Sequence, residues 1–476
     1  MKTRFIIQCA MAFALCMTLA TGASATELKV RGNIDMYGMW SANLIDHNSD
    51  VSDGDKFSTT QRMRTYFDYV ANENLKAVLG LEIDNVWGEG TAADWGTDGK
   101  GNIEVKHAYL DFTLPDTTVN IQAGLQYIAL PSVFGNPVFD DDAAAITVSA
   151  PINDMFALAV GYSRGTDAST SFTGNGADND DKDMAFIAAP ITMDGFSVAP
   201  YFAYAWIGEN TDSATTTGNF ADFELGDVDE SVTGDFNEDG DTTDIFNDVV
   251  FDGGTFTYAN PADMTDDMTA WVLGFNAELT MFDPLTFAAD VIYGEGETGD
   301  YETKGWYAAL AASYKFEMLT ATLFSTYATG ADEDADEDNF LPTLAEGWGL
   351  SPYIGGVRAF STTYDSFATD ALGVGSDGTG LWTVGLVLDN ISFVDKLSHK
   401  LVLAYAKGTS DEDSVALFTE EDSGFEAYLV NKYMIYENLA AINELGYFSG
   451  SSEKLEDDDY DLDASYFATI GFAYKF

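Results

Sequence analysis

The run Asp235-Phe236-Asn237-Glu238-Asp239-Gly240-Asp241, with Asp244 just beyond it, sets oxygen donors at alternate positions. A glycine stands at the sixth position, where a calcium-binding loop must turn sharply. Asp235, Asn237, Asp239, Asp241 and Asp244 are therefore candidate calcium ligands. The twelfth position is Phe246 and not a bidentate glutamate, a departure from the EF-hand pattern. In a chain this acidic, chance spacing is the competing explanation. No other cofactor is implied.

Catalytic groupings are sparse. The 3 histidines, His47, His107 and His399, are scattered and form no metal-ligand spacing. Gly161-Tyr162-Ser163-Arg164-Gly165 matches the form of a nucleophile elbow. Such an elbow needs a strand turning sharply into a helix, whereas this one leads from a strand into a long polar segment. We expect no enzyme.

A different chemistry is legible in the charges. Lys29, Arg31, Arg62, Arg64 and Lys76 fall on the polar face of alternating segments near the start of the chain. Residues 128–142 carry Pro131 and Pro137, are less polar than the other long connections, and run into Asp140, Asp141 and Asp142. That segment suits folding inward against a wall, where its carboxylates would face the basic side chains. The resulting transverse field would pass small polar solutes and disfavour apolar ones. The bland alternative is a set of ion pairs within the wall, with no transport role. His107 has the parity of an inward-facing wall residue.

The elements that would carry these residues repeat one theme. Leu28, Val30, Ile34, Met36 and Trp40 oppose Lys29, Arg31, Asn33 and Asp35. Trp271, Leu273, Phe275, Ala277 and Leu279 form another apolar face, and Trp306, Ala308, Leu310, Ala312, Tyr314 and Phe316 a third. A period of two sends one set towards lipid and the other towards a lumen. Aromatics at segment ends suit girdles at the membrane interfaces. Short connections, such as Asn72-Glu73-Asn74, broadly alternate with long acidic ones, such as residues 208–267 and 330–380. The expectation is an all-β fold, a transmembrane antiparallel β-barrel of about 18 strands (alternative, about 16) with short periplasmic turns and long acidic extracellular loops. The weakly patterned strands lie around Ala143, Met184 and Phe196, and Pro200 sits awkwardly inside one of them. A soluble β-sandwich would also alternate, but would not explain the aromatic ends or the loop asymmetry.

Composition agrees. The chain holds 21 Lys+Arg against 79 Asp+Glu, a formal net charge of −58, yet also 33 Phe, 24 Tyr and 8 Trp. Heavy acidity with heavy aromaticity needs an architecture that separates the two. Nucleic-acid binding is excluded, because phosphate contact needs basic surface. Residues 1–25 read as a cleaved export signal: Lys2 and Arg4, an apolar run, then Ala23-Ser24-Ala25. Both cysteines, Cys9 and Cys16, fall inside it, which leaves none in residues 26–476, the barrel. The tail Thr469-Ile470-Gly471-Phe472-Ala473-Tyr474-Lys475-Phe476 resembles the signal by which outer-membrane barrels are recognised for insertion, through Gly471, Tyr474 and Phe476.

Val105-Lys106-His107-Ala108-Tyr109-Leu110-Asp111-Phe112, Ala123-Gly124-Leu125-Gln126 and Gly135-Asn136-Pro137-Val138-Phe139-Asp140-Asp141 occur in that order between the opening strand and Phe476. In this order the chain resembles the homotrimeric outer-membrane porins of sulfate-reducing bacteria. The resemblance implies a trimer of barrels in the bacterial outer membrane, each a water-filled channel for passive diffusion of ions and small hydrophilic solutes. Expected partners are further copies of the chain, outer-membrane lipid and lipopolysaccharide, and the barrel-assembly machinery. Acidic loops at a pore mouth concentrate cations, so cation preference is expected. The alternative is a substrate-specific channel for a sugar, carboxylate or metal ion; a structural or adhesive barrel ranks below both.

Overall fold

In the computed structural model the described residues are 26–43, 55–88, 103–167, 181–208, 267–299, 301–332, 337–344, 379–414, 416, 418–453 and 462–476, with four short strand pieces between 217 and 257. The export-signal reading of residues 1–25 lies outside them. The wall strands are β1 (Glu27–Ala42), β2 (Asp55–Asn72), β3 (Leu75–Val86), β4 (Ile103–Thr113), β5 (Asn120–Ala129), β6 (Asp140–Pro151) and β7 (Ala157–Asp167). Then come β8 (Asp181–Ala188, continued by Ile191–Met193), β9 (Phe196–Ile207), β10 (Met268–Phe282), β11 (Leu285–Thr298), β12 (Tyr301–Lys315) and β13 (Thr320–Ala328). The last are β14 (Leu381–Val394), β15 (Leu397–Gly408), β16 (Ser423–Tyr436), β17 (Leu439–Gly450) and β18 (Ser465–Lys475).

Each wall strand pairs antiparallel with the next, and β1 pairs with β18 from Asn33↔Lys475 to Ala42↔Tyr466. The 18-stranded sheet thus closes on itself and leaves no free edge among its strands. At the seam Phe476 N donates to Gly32 O at 3.0 Å and Gly32 N to Phe476 O at 2.9 Å. A side chain at position 32 would collide with Arg64 O and the Phe476 ring, so glycine is required for that close approach.

The two faces of the sheet differ as the alternation demands. On β12, Tyr307 is fully buried while Leu310 is 58 % exposed; on β18, Phe467 is buried while Ile470 is 62 % exposed. Large apolar side chains outside and packed or polar ones inside are the reverse of a water-soluble protein. Only lipid makes that outer belt favourable. The protein is a transmembrane β-barrel, of the architecture that spans bacterial outer membranes. Connections at one end are tight, as at Glu73–Asn74 and Asp395–Lys396, while most of those at the other end are long.

Pro200 has a structural account. Its carbonyl accepts from Ala189 N at 2.9 Å where β8 breaks, between Ala188 and Ile191. A residue's N–H and C=O face the same neighbour in an antiparallel ladder, so the donor that proline lacks is absent where the neighbouring strand has its gap. The weak patterning of this region reflects that interruption.

Candidate pore constriction

The basic residues are carried on the interior of β1 to β3. Register sets Asp35 beside Arg62, Asn33 beside Arg64 and Arg31 beside Tyr66. Arg62 and Arg64 face Asp84 and Glu82 on β3. Every one of the five has a carboxylate neighbour. Arg31 Nε reaches Asp68 at 3.1 Å and its guanidinium lies 4.5 Å from the Tyr66 ring centre. Arg62 Nε meets Asp84 at 2.7 Å and Glu82 at 3.9 Å, Arg64 bonds Glu82, and Lys76 lies 3.2 Å from Asp111. Lys29, at the strand's start, is 3.6 Å from Glu27. The result is a slanted ladder of cross-strand pairs on β1–β4, its cations individually matched. Asp35, 6 % exposed, adds a further carboxylate to the same face.

Residues 130–139 leave the wall and fold inward. Leu130 N donates to Phe139 O at 3.0 Å, closing the base of the segment. Beyond it, Asp290 of β11 accepts from Ser132 Oγ at 2.7 Å, Val133 N at 2.9 Å and Phe134 N at 3.3 Å. Asn136 Nδ2 donates to the Tyr201 hydroxyl on β9 at 2.8 Å, and Asn136 Oδ1 accepts from Val138 N at 2.9 Å. Tyr201 can lie across β10 because its neighbour there is Gly274, where a Cβ would fall 2.4 Å from the ring. Asp290 and Asn136 are 1 % and 0 % exposed, so these polar groups are satisfied by one another and not by water. A second segment, residues 341–344, also packs inside: Leu344 N donates to Val138 O at 2.9 Å, and Leu341 and Leu344 join the same buried cluster.

Asp140, Asp141 and Asp142 stand elsewhere than the sequence reading had them. The ladder of β6 already begins at Asp140, paired with Ala129, so all three belong to the wall and not to the inward segment. Asp142 is bonded by Lys106 and lies 3.0 Å from His107 Nε2; Asp140 accepts from the Tyr127 hydroxyl. Lys106 and His107 both reach one carboxylate because a bulge in β4 interrupts its register with β3 between Gly80 and Leu81. The carboxylate that meets the inward segment is Asp290. It was missed, although a lone acid within Ala288-Ala289-Asp290-Val291-Ile292 is a readable signal.

The remaining candidates are placed as follows. Gly471, Tyr474 and Phe476 lie on or just after β18, with the rings of Tyr474 and Phe476 5.8 Å apart. Of the calcium candidates only Asp244 falls on a described strand piece, opposite Gly234; Asp235, Asn237, Asp239 and Asp241 lie outside the described residues. Ser163 of the elbow-like motif is inside β7, with its hydroxyl donating to Ala144 O at 3.2 Å and no turn beside it. In the loop after β15, the carboxylates of Asp413, Glu421 and their neighbours lift the Glu412 pKa above its ordinary value.

No protein-family model and no curated protein matches the sequence. Among solved structures the chain is similar to OccAB3 of Acinetobacter baumannii, at 13 % identity and a TM-score of 0.52 over 94 % of this chain and 99 % of that one. It is also similar to a BenF-like porin from Pseudomonas fluorescens Pf-5, at 10 % identity and a TM-score of 0.50 over 95 % and 99 %. At such identities the likeness is one of fold, and the fold is that of an outer-membrane porin.

Proposed function

We propose that the protein is a porin: a water-filled channel for passive diffusion of ions and small hydrophilic solutes, with a preference for cations. The observation that carries this reading is the inward segment 130–139, tied across the interior to Asp290. A barrel of 18 strands is wide enough for an aqueous lumen, and a tethered segment inside it narrows that lumen. Cation preference is supported by the pairing of each ladder cation with a carboxylate and by the 79 Asp+Glu against 21 Lys+Arg of the chain, an excess of acid that concentrates cations at a pore mouth. Lys29, Arg31, Arg62, Arg64 and Lys76 act here as one rigid polar wall, while Asp140, Asp141 and Asp142 hold the start of β6 near the outer mouth.

The same reading includes export by residues 1–25, insertion directed by the C-terminal strand, and a homotrimer akin to the porins of sulfate-reducing bacteria. It also includes calcium or other divalent cations at the acidic loops, beside lipopolysaccharide phosphates. Planar-bilayer recording of the purified protein is the test. Stepwise openings in triplets, with reversal potentials on the cation side in a salt gradient, are expected. Absence of conductance rejects the channel; anion-side potentials reject the preference. Saturable block by a single solute would favour the substrate-specific alternative.

A further inference from the structure

At the outer rim of β11–β13 a pocket opens on the lipid-facing side of the wall. Tyr293 and Trp306 form its aromatic floor, with ring centres 4.5 Å apart, and Tyr327 flanks them. Lys304, Asp332, Asn339, Asp411 and Glu420 stand round it. The floor and rim are held from several directions. Thr329 N donates to Trp306 O at 3.0 Å, and Trp306 N to the Thr329 hydroxyl at 2.9 Å. Asp411 N donates to Ala331 O at 2.8 Å, and Asn339 Nδ2 to Asp332 at 2.7 Å. Below the pocket the surface continues into the apolar belt through Leu310 and Leu323, both more than half exposed.

The geometry points to a binding site for the sugar headgroup of an outer-leaflet glycolipid. A pyranose has one apolar C–H face, which stacks on an aromatic ring, and vicinal hydroxyls, which pair with planar carboxylates and amides. The pocket offers both. Its three carboxylates against one lysine disfavour a bare phosphate, whose charge they would repel. A soluble sugar would have no use for the apolar strip beneath, whereas acyl chains descending from a headgroup would lie along it. An ordinary girdle accounts for outward aromatics, but not for a hydrogen-bonded polar rim closing over them. This inference rests on the reading that sets the outer rim among lipopolysaccharide, and it is independent of whether the lumen conducts.

The test uses the full-length protein in detergent, titrated with rough-type lipopolysaccharide and read by native mass spectrometry. Phosphatidylglycerol, the delipidated core oligosaccharide and spermidine serve as competitors. Glycolipid binding should fall at least tenfold in Trp306→Leu, which keeps an apolar side chain towards lipid, and should be unchanged in Trp40→Leu, an exposed tryptophan on β1 on the opposite side of the barrel. The core oligosaccharide should compete more weakly than the glycolipid and lose its competition in the Trp306 variant. Equal binding by Trp306→Leu, or displacement by phosphatidylglycerol or spermidine at the glycolipid's own concentration, would overturn the assignment. An oligosaccharide that binds as tightly as the whole glycolipid would refute the lipid source. Heat-modifiable gel mobility reports folding of each variant, and bilayer conductance should be the same in all of them.

Discussion

Asp290 shows how much one side chain can decide. Three donors from residues 132–134 converge on a carboxylate that water does not reach. A hydrogen bond to a charged group contributes about 1.5–3 kcal/mol, so the tether exceeds thermal energy several-fold. Asp290→Ala should release the inward segment, giving larger and noisier single-channel currents and admitting larger neutral solutes in liposome swelling. Unchanged conductance would remove Asp290 from the constriction. The ladder makes a second prediction. Arg64→Ala leaves Glu82, whose side chain is only 9 % exposed, with one partner fewer. Breaking such a pair is costlier than the pair itself is worth. Reversal potentials should move further to the cation side, and Glu82→Gln should move them back.

At the scale of the strand, what matters is which face meets lipid. Leu310 lies on the outward face of β12 between Trp306 and Tyr314. Leu310→Arg should destabilise the folded barrel by about 2–4 kcal/mol, the cost of a cation near the bilayer midplane, measured by urea-dependent folding into liposomes. Pro200 tests the interrupted ladder. Replacement by Val adds a donor facing the gap between Ala188 and Ile191. Position 200 is exposed on the outward face of β9, where lipid cannot pair an added donor and each one left unsatisfied costs several kcal/mol, so this variant should melt earlier than the parent. A higher melting temperature would contradict the account of the break.

For the whole molecule, closure and net charge set behaviour. Deleting Phe476 removes two backbone bonds to Gly32 and the last ring of β18, and the folded fraction in outer membranes should drop sharply. Selectivity should weaken as salt rises, since fixed charges are screened within roughly 3 Å at 1 M. It should also decline on acidification. Carboxylate neighbours raise the Glu412 pKa, so its proton returns before that of an isolated glutamate. Mutual repulsion there opposes the folded loop above that pKa and is relieved as pH falls through it.

Alternation was enough to determine the barrel, the outward faces of β1, β10 and β12, and the inward parity of Arg31, Arg62 and Arg64, because side-chain direction in a strand is a local property with a period of two. The inclination of residues 130–139 to turn inward was legible in their prolines and low polarity. What they would meet there was not. Asp290 lies more than 150 residues further along the chain from Ser132, and only closure brings β11 across from β5. The matching of each lysine and arginine with an acid on the next strand, and the displacement of Asp140, Asp141 and Asp142 into the wall, depend on register. A one-residue shift would reverse every face, and register is decided by turns, bulges and the breadth of the closed sheet together.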